Sequence, residues 1–383
     1  MTDEVEPDLK RPRVEKQDPC CPSALTRKAE VLEAFSARLR IDPAGGSFAA
    51  FQLVDGSSCS ANPLNWDCAV HDGDNVGATD PRPLGHFLCL DRWGPASESE
   101  EANGMGYHGE ASAVHWQVQR RTDRQLGMRA ALPIAGLDVA REVKLVPASE
   151  SGPVALAFVS ECVTNTNKLG RIYNMVQHPS IAPPFLTKDT VVDCNGRRGF
   201  AQGPNRTFSE SPEKPTFDFP AAISREGQSA NARSMTGGDD DVLSYEVDPS
   251  SEIGWVTATS RRDGLLLGYV WRREDYPWIS LWCSSRGGEP AARGLEFGTT
   301  GLHQPFPILC RHPRLLGLPT FEHLDTGESR SRRFAFFLLR VPLDFKGVRS
   351  LAVEDKVLTL TEASDERPRS CTVTAAERFF AHG

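Results

Sequence analysis

Hydrophobic positions in this chain recur mostly at every second residue, the mark of half-buried β-strands. In Val139–Val146 the side chains Val139, Val143 and Leu145 fall on one face, with Glu142 and Lys144 on the other. In Val114–Val118, Val114, Trp116 and Val118 share a face opposite His115 and Gln117. Further runs rich in Val, Phe, Trp and Tyr occupy 154–163, 253–259, 265–271, 278–283 and 334–341, with turn residues between them. Such composition suits strands. The exception comes early: Ala29, Leu32 and Phe35 recur at helical spacing and predict a helix over 26–39. Helical repeats between the strands are missing, which argues against a Rossmann or α/β-barrel fold. The pattern therefore predicts an all-β, mainly antiparallel structure.

Two stretches interrupt the alternation. Residues 71–110 are rich in Gly, Asp and Pro, and 187–241 are polar with few β-type runs. Irregular segments of this length inside a compact domain are usually functional, and both are expected to wall a binding site. Residues 1–22 are charged, lack an apolar run and read as a disordered tail, with the basic Lys10–Arg13 solvated. No linker or internal repeat divides the rest, so 25–383 is expected to form one domain.

Composition narrows the choice of partner. The chain has 383 residues, 39% of them hydrophobic, and a formal net charge of -8, enough apolar material for a substantial core. No basic stripe interleaved with aromatics supports a nucleic-acid partner. No segment approaches the eighteen or so apolar residues of a membrane helix. The N-terminal residues do not read as a secretory signal. Ten cysteines include no CxxC pair. Cys89, Cys162 and Cys283 lie in apolar runs and read as small buried hydrophobes in a reducing, cytoplasmic compartment. Asn205 heads a glycosylation sequon with no use there. The sequence does not bear on oligomeric state.

GxGxxG after a strand, the P-loop, GxSxG and HExxH are all absent, and the histidines lack metal-ligand spacing. The expectation is a protein without metal or organic cofactor. What remains is a set of His, Arg, Glu and Trp residues among glycines and prolines. GHFLCLDRWG (85–94) is followed by NGMGYHGE (103–110), where the flanking glycines leave the His108 ring accessible to sugar hydroxyls. A turn histidine bonded to backbone is the plainer alternative for His108, and a core position is the plainer one for His86. In VALAFVSECVTNTNKLGRIYNMVQHPSIAPPF (154–185) the proline after His178 favours an extended backbone that aims the imidazole from a strand end. In WISLWCSSRGGEPAARGLEFGTTG (278–301), Glu296 lies between Leu295 and Phe297. Such a carboxylate should have a raised pKa and suit a general base, unless Arg293 or Arg286 pairs with it. Glu289, in the same segment, is the second candidate. Trp278 and Trp282 share a strand face and offer either a stacking platform for a sugar ring or core packing.

Together NGMGYHGE, VTNTNKLGRIYNMVQHP (163–179) and GLEFGTT (294–300) resemble the aldose 1-epimerase, or galactose mutarotase, family, in order, over roughly residues 40–345. The resemblance implies a large antiparallel β-sandwich, the supersandwich of galactose mutarotase-like proteins, with the site on one sheet. It implies that His108 holds sugar hydroxyls, that His178 is the general acid and that Glu296 is the general base. Arg92 matches the family's substrate-binding arginine; Asp193 and Asp218 are candidates for its aspartate, neither at the family's motif position. HPSIAPPF stands here in place of the family's HPYFNL phrase.

The implied chemistry interconverts the anomers of a free sugar. An acid protonates the ring oxygen, a base takes the anomeric hydroxyl proton, and the aldehyde rotates and recloses. A His and a Glu on opposite sides of the ring suffice for this. Two other readings remain open from sequence: a non-catalytic sugar-binding protein on the same fold, and a polysaccharide lyase or hydrolase, since fold does not dictate function.

Overall fold

The computed structural model describes residues 28–56, 58–71, 81–149, 153–202, 216–224, 227–235 and 240–380. The tail read over 1–22 and the sequon at Asn205 lie outside these residues. The described residues form antiparallel strands, with short helices at Cys68–His71, Glu98–Ala102 and Phe306–Arg311 and a 3₁₀ turn at Ala111–Ala113. It is a β-sandwich.

One sheet has twelve strands, its main path starting Glu30–Ala34, Ala37–Asp42, Ser47–Asp55, His86–Asp91 and Arg171–Ile181. The path continues through Glu289–Gly298, Trp278–Arg286, Asp241–Val247, Gly196–Ala201 and Phe217–Asp218. The second sheet has eight strands, with Ser329–Arg340 and Val154–Asn165 at its centre. Strand alternation sends Met175, Leu281, Leu295 and Phe297 of the first sheet against Val143, Val159, Tyr269 and Phe336 of the second, which makes the main core. A four-stranded sheet containing Val348–Glu354, Val357–Glu362 and Ser370–Ala375 covers the outer face of the eight-stranded one. Leu358, Leu360 and Val373 pack there on Leu156, Leu266 and Phe337.

Two local expectations are corrected. The helix expected over 26–39 is a hairpin of Glu30–Ala34 and Ala37–Asp42, turning at Phe35, which has φ 61° and is exposed. Leu32, Ala37, Leu39 and Ile41 are buried, so a period of two governs, and the three-residue spacing of Ala29, Leu32 and Phe35 is incidental. The strand expected at Val114–Val118 starts only at Gln117 and runs to Arg121, and Val118 is exposed. Trp116 alone of the three apolar residues is fully buried, its indole N–H donating to the Ala111 carbonyl. Val139–Val146 keeps its alternation, but Arg141 shares the apolar face and is buried against Glu161.

Candidate functional site

The face of the twelve-stranded sheet turned away from the main core carries a cavity of about 570 Å³. Period two decides which residues reach it. In Glu289–Gly298, Leu295 and Phe297 enter the core and Glu296 points the other way. In Arg171–Ile181, Met175 faces the core while His178 faces the cavity. Strand His86–Asp91 adds Phe87, and Trp278–Arg286 adds Trp282 and Ser284. His178 pairs in register with Phe87, and Glu296 with Ser280. Trp278, by contrast, is fully buried and packs with Phe200 and Phe306.

The stretch 81–110 closes one side. His108 adopts φ 65°, uncommon for a residue with a Cβ. Its own N–H donates to the Gly94 carbonyl, and the Gly94 N–H donates to its Nδ1 at 3.0 Å. The neutral ring therefore carries its proton on Nε2. Next to it Gly109 has φ 78°, and a Cβ there would meet the Leu90 carbonyl at 2.2 Å, so only glycine lets this loop lie against the strand.

Six side chains follow one another round the wall. Oε2 of Glu296 accepts from the Trp93 indole at 2.6 Å. Trp93 meets the edge of His303 at a centroid distance of 4.7 Å, and His303 Nε2 lies 3.0 Å from the Tyr107 hydroxyl. Tyr107 touches His108, and His108 lies 5.4 Å from His178. The circle closes where His178 Nε2 stands 3.3 Å from Oε1 of Glu296. Nδ1 of His178 lies 3.0 Å from the Ser180 hydroxyl. Glu296 and His178 are both buried, and burial pulls the His178 pKa down to about 3. The same environment pushes the Cys89 thiol well up, first through its own burial and then through the nearby Glu296 carboxylate.

His108, His178, Trp282 and Glu296 thus line one cavity. Arg92 does not line it. Its guanidinium is buried beneath the loop, donating to Asp91 and bidentately to Glu100, and lies over the Phe306 ring. Asp193 is also elsewhere, bound to Arg233 and to the Val348 N–H, and Asp218 lies in the Phe217–Asp218 strand at the sheet edge. Among the described residues the aspartate lining the cavity is Asp240, which accepts from the Trp282 indole at 2.8 Å. Of the alternatives for Glu296, Arg293 points to the opposite face and donates to the Ala232 carbonyl, while Arg286 donates to backbone carbonyls at Val70 and His71. Glu289 is exposed and paired with Lys188. Sequence reading also passed over Trp66, His71, Trp93, Tyr107 and His303. Trp93 and Tyr107 lie inside motifs it had quoted, whereas His303 has only a Gly-rich setting after GLEFGTT to mark it.

No protein-family model matches the sequence, and no curated protein matches it. Solved structures do match. A galactose mutarotase related enzyme from Lactobacillus acidophilus superposes with a TM-score of 0.58 at 12% identity, over 82% of this chain and 98% of the other. A galactose mutarotase-like protein from Lactobacillus casei gives 0.54 at 14%, over 82% and 100%. An aldose epimerase homologue from C. elegans gives 0.51 at 12%, over 82% and 100%. The chain has the galactose mutarotase-like β-sandwich fold. Among the described residues no helix is long and apolar enough to cross a membrane.

Proposed function

We propose that the protein is an aldose 1-epimerase acting on an uncharged sugar in the cytoplasm, with Glu296 as general base and His178 as general acid. The observation that carries this reading is the 3.3 Å approach of His178 Nε2 to Glu296 Oε1 on a cavity wall. The sequence suggested an acid and a base on opposite sides of the sugar ring; His178 and Glu296 stand side by side. The ring oxygen and the anomeric hydroxyl are bonded to the same carbon, so a neighbouring acid and base can reach both. With one proton held by the pair, His178 gives it to the ring oxygen as the C1–O5 bond breaks, and Glu296 takes the hydroxyl proton. The pair keeps its proton count, and reclosure on the other face reverses the roles. Trp93 fixes the carboxylate, Ser180 fixes the imidazole, and Trp282 and His108 hold the sugar ring and its hydroxyls. Each proton transfer contributes ~10²–10⁴-fold.

The charge of the site supports an uncharged substrate. Its described lining includes Glu296, Asp240 and four histidines but no Lys or Arg, so a phosphate on the sugar would meet carboxylates without a fixed cation. The test is proton NMR of anomeric equilibration with freshly dissolved aldoses and their 6-phosphates. Acceleration of neutral aldoses alone is expected; no acceleration of any aldose would remove the activity. One observation favours a second reading, binding without catalysis: burial keeps the His178 imidazole neutral and a poor acid near pH 7. Saturable sugar binding without accelerated equilibration would establish that reading instead.

A further inference from the structure

We propose that Gly294 is a positioning residue for the reaction: its missing side chain opens the space into which the Glu296 carboxylate folds to reach His178. This rests on the epimerase reading of the cavity.

The register sets the problem. Gln177 pairs with Phe297 and Ser180 with Gly294, which puts His178 across from Glu296 on the cavity face. Gly294 shares that face, two residues before Glu296, and pairs with Trp282 on its other side. A glycine inside a strand weakens the sheet and often marks a close approach by another group. The backbone does not call for glycine here, since the φ of Gly294 lies outside the left-handed region. The group that approaches is the base itself. A Cβ at position 294 would stand 2.7 Å from Oε1 of Glu296 and 3.3 Å from its Cγ. Oε1 is the oxygen that lies 3.3 Å from His178 Nε2. The Glu296 side chain therefore lies back along its own strand, over the place where residue 294 would carry a side chain.

Gly298, two residues beyond Glu296 on the same face, gives the contrast. A Cβ there would meet Val176 Cγ2 at 2.4 Å and the Met175 carbonyl at 3.1 Å, so that glycine serves packing against the next strand. At position 294 the other close atom is Trp282 Cβ at 3.1 Å, fixed to its backbone. The carboxylate, at the end of a rotatable side chain, yields first. Taking Oε1 from 2.7 Å out to an ordinary contact of 3.4 Å moves it by about 0.7 Å. A misplacement of about 1 Å at a reacting centre can cost ~10²-fold in rate. One methyl group at 294 thus leaves the sheet intact and draws the base off the acid.

The experiment is Gly294→Ala, with anomeric equilibration of glucose and galactose followed by proton NMR and stability read from the urea midpoint. Turnover (kcat) should fall ~10-fold or more with KM little changed. The midpoint should hold or rise, because alanine loses less conformational freedom in a strand than glycine. In a Glu296→Gln background the same substitution should change the residual rate little, since its effect passes through the carboxylate. A parental kcat overturns the proposal, and so does an equal fall in both backgrounds. A raised KM with kcat unchanged also overturns it, because the methyl then only obstructs the sugar, and a lost fold assigns Gly294 to packing instead. If the parent epimerises no sugar, the epimerase reading fails and the imidazole resonances of His178 test the positioning by themselves. They should move in Gly294→Ala toward their place in Glu296→Gln, and unmoved resonances overturn the proposal.

Discussion

Strand Arg171–Ile181 presents two buried polar constellations, one on each face. Toward the core, Gln177 donates to Glu161 at 2.6 Å, and the other Glu161 oxygen accepts from Arg141 at 2.6 Å. Arg141 also donates to the Gly46 carbonyl, lies over Phe48 and Trp116, and His86 closes the network on Gln177. Toward the cavity, the neighbouring residue His178 stands against Glu296, which also accepts from the Trp93 indole N–H. Glu161 and Glu296 are equally buried. The two differ in their setting: a guanidinium neutralises Glu161 and reaches across to the Gly46 carbonyl, whereas Glu296 meets an imidazole and an indole N–H on a cavity wall. Burial alone does not distinguish these two carboxylates; their partners and access to a cavity do.

The largest effect expected from breaking this comparison is on the core side. Glu161→Ala strands the Arg141 guanidinium in the core and should cost about 3–5 kcal/mol, read from the urea midpoint. A loss below about 1 kcal/mol would mean that the network is not what joins the sheets. Arg92→Ala comes next. It removes ties to Asp91 and Glu100 beneath the cavity loop and should cost about 1–3 kcal/mol of stability, while sugar affinity of the folded protein changes little. Unchanged melting with lost affinity would return Arg92 to the binding site.

The smallest effect is on pH dependence, where both faces act in the same direction. His178 is lowered from 6.5 to about 3 by burial, and His86 falls well below 6.5 through burial and then the Arg141 charge. The unfolded chain binds these protons more readily, so stability falls as pH drops from about 6.5 toward 3. Chemical denaturation from pH 7 to 5 should show this slope, and His178→Asn should flatten it; an unaltered slope would contradict the burial of a neutral ring.

Much of the fold was legible because half-buried strands write period two into the chain, as Val139–Val146 does. The first hairpin was not, since over so few residues Ala29, Leu32 and Phe35 fit a helix as well as a turn between strands. That His178, Glu296 and Trp282 share one cavity wall follows from strand positions the sequence already showed. Arg92 was misread because local sequence cannot tell a guanidinium that reaches a ligand from one held by the adjacent Asp91 and a helix residue. Asp240 and His303 were missed for a complementary reason: each enters the cavity through an irregular segment, where no periodicity reports direction.

The most direct test of the account is the rate of anomeric equilibration by Glu296→Gln and His178→Asn, followed by proton NMR beside the parent on the same sugar. Each should turn over ~10²-fold or more slowly, the double variant should be little worse than the poorer single one, and affinity for a non-reacting sugar analogue should hold. A folded Glu296→Gln protein that equilibrates anomers at the parental rate would contradict the assignment of Glu296 as the base.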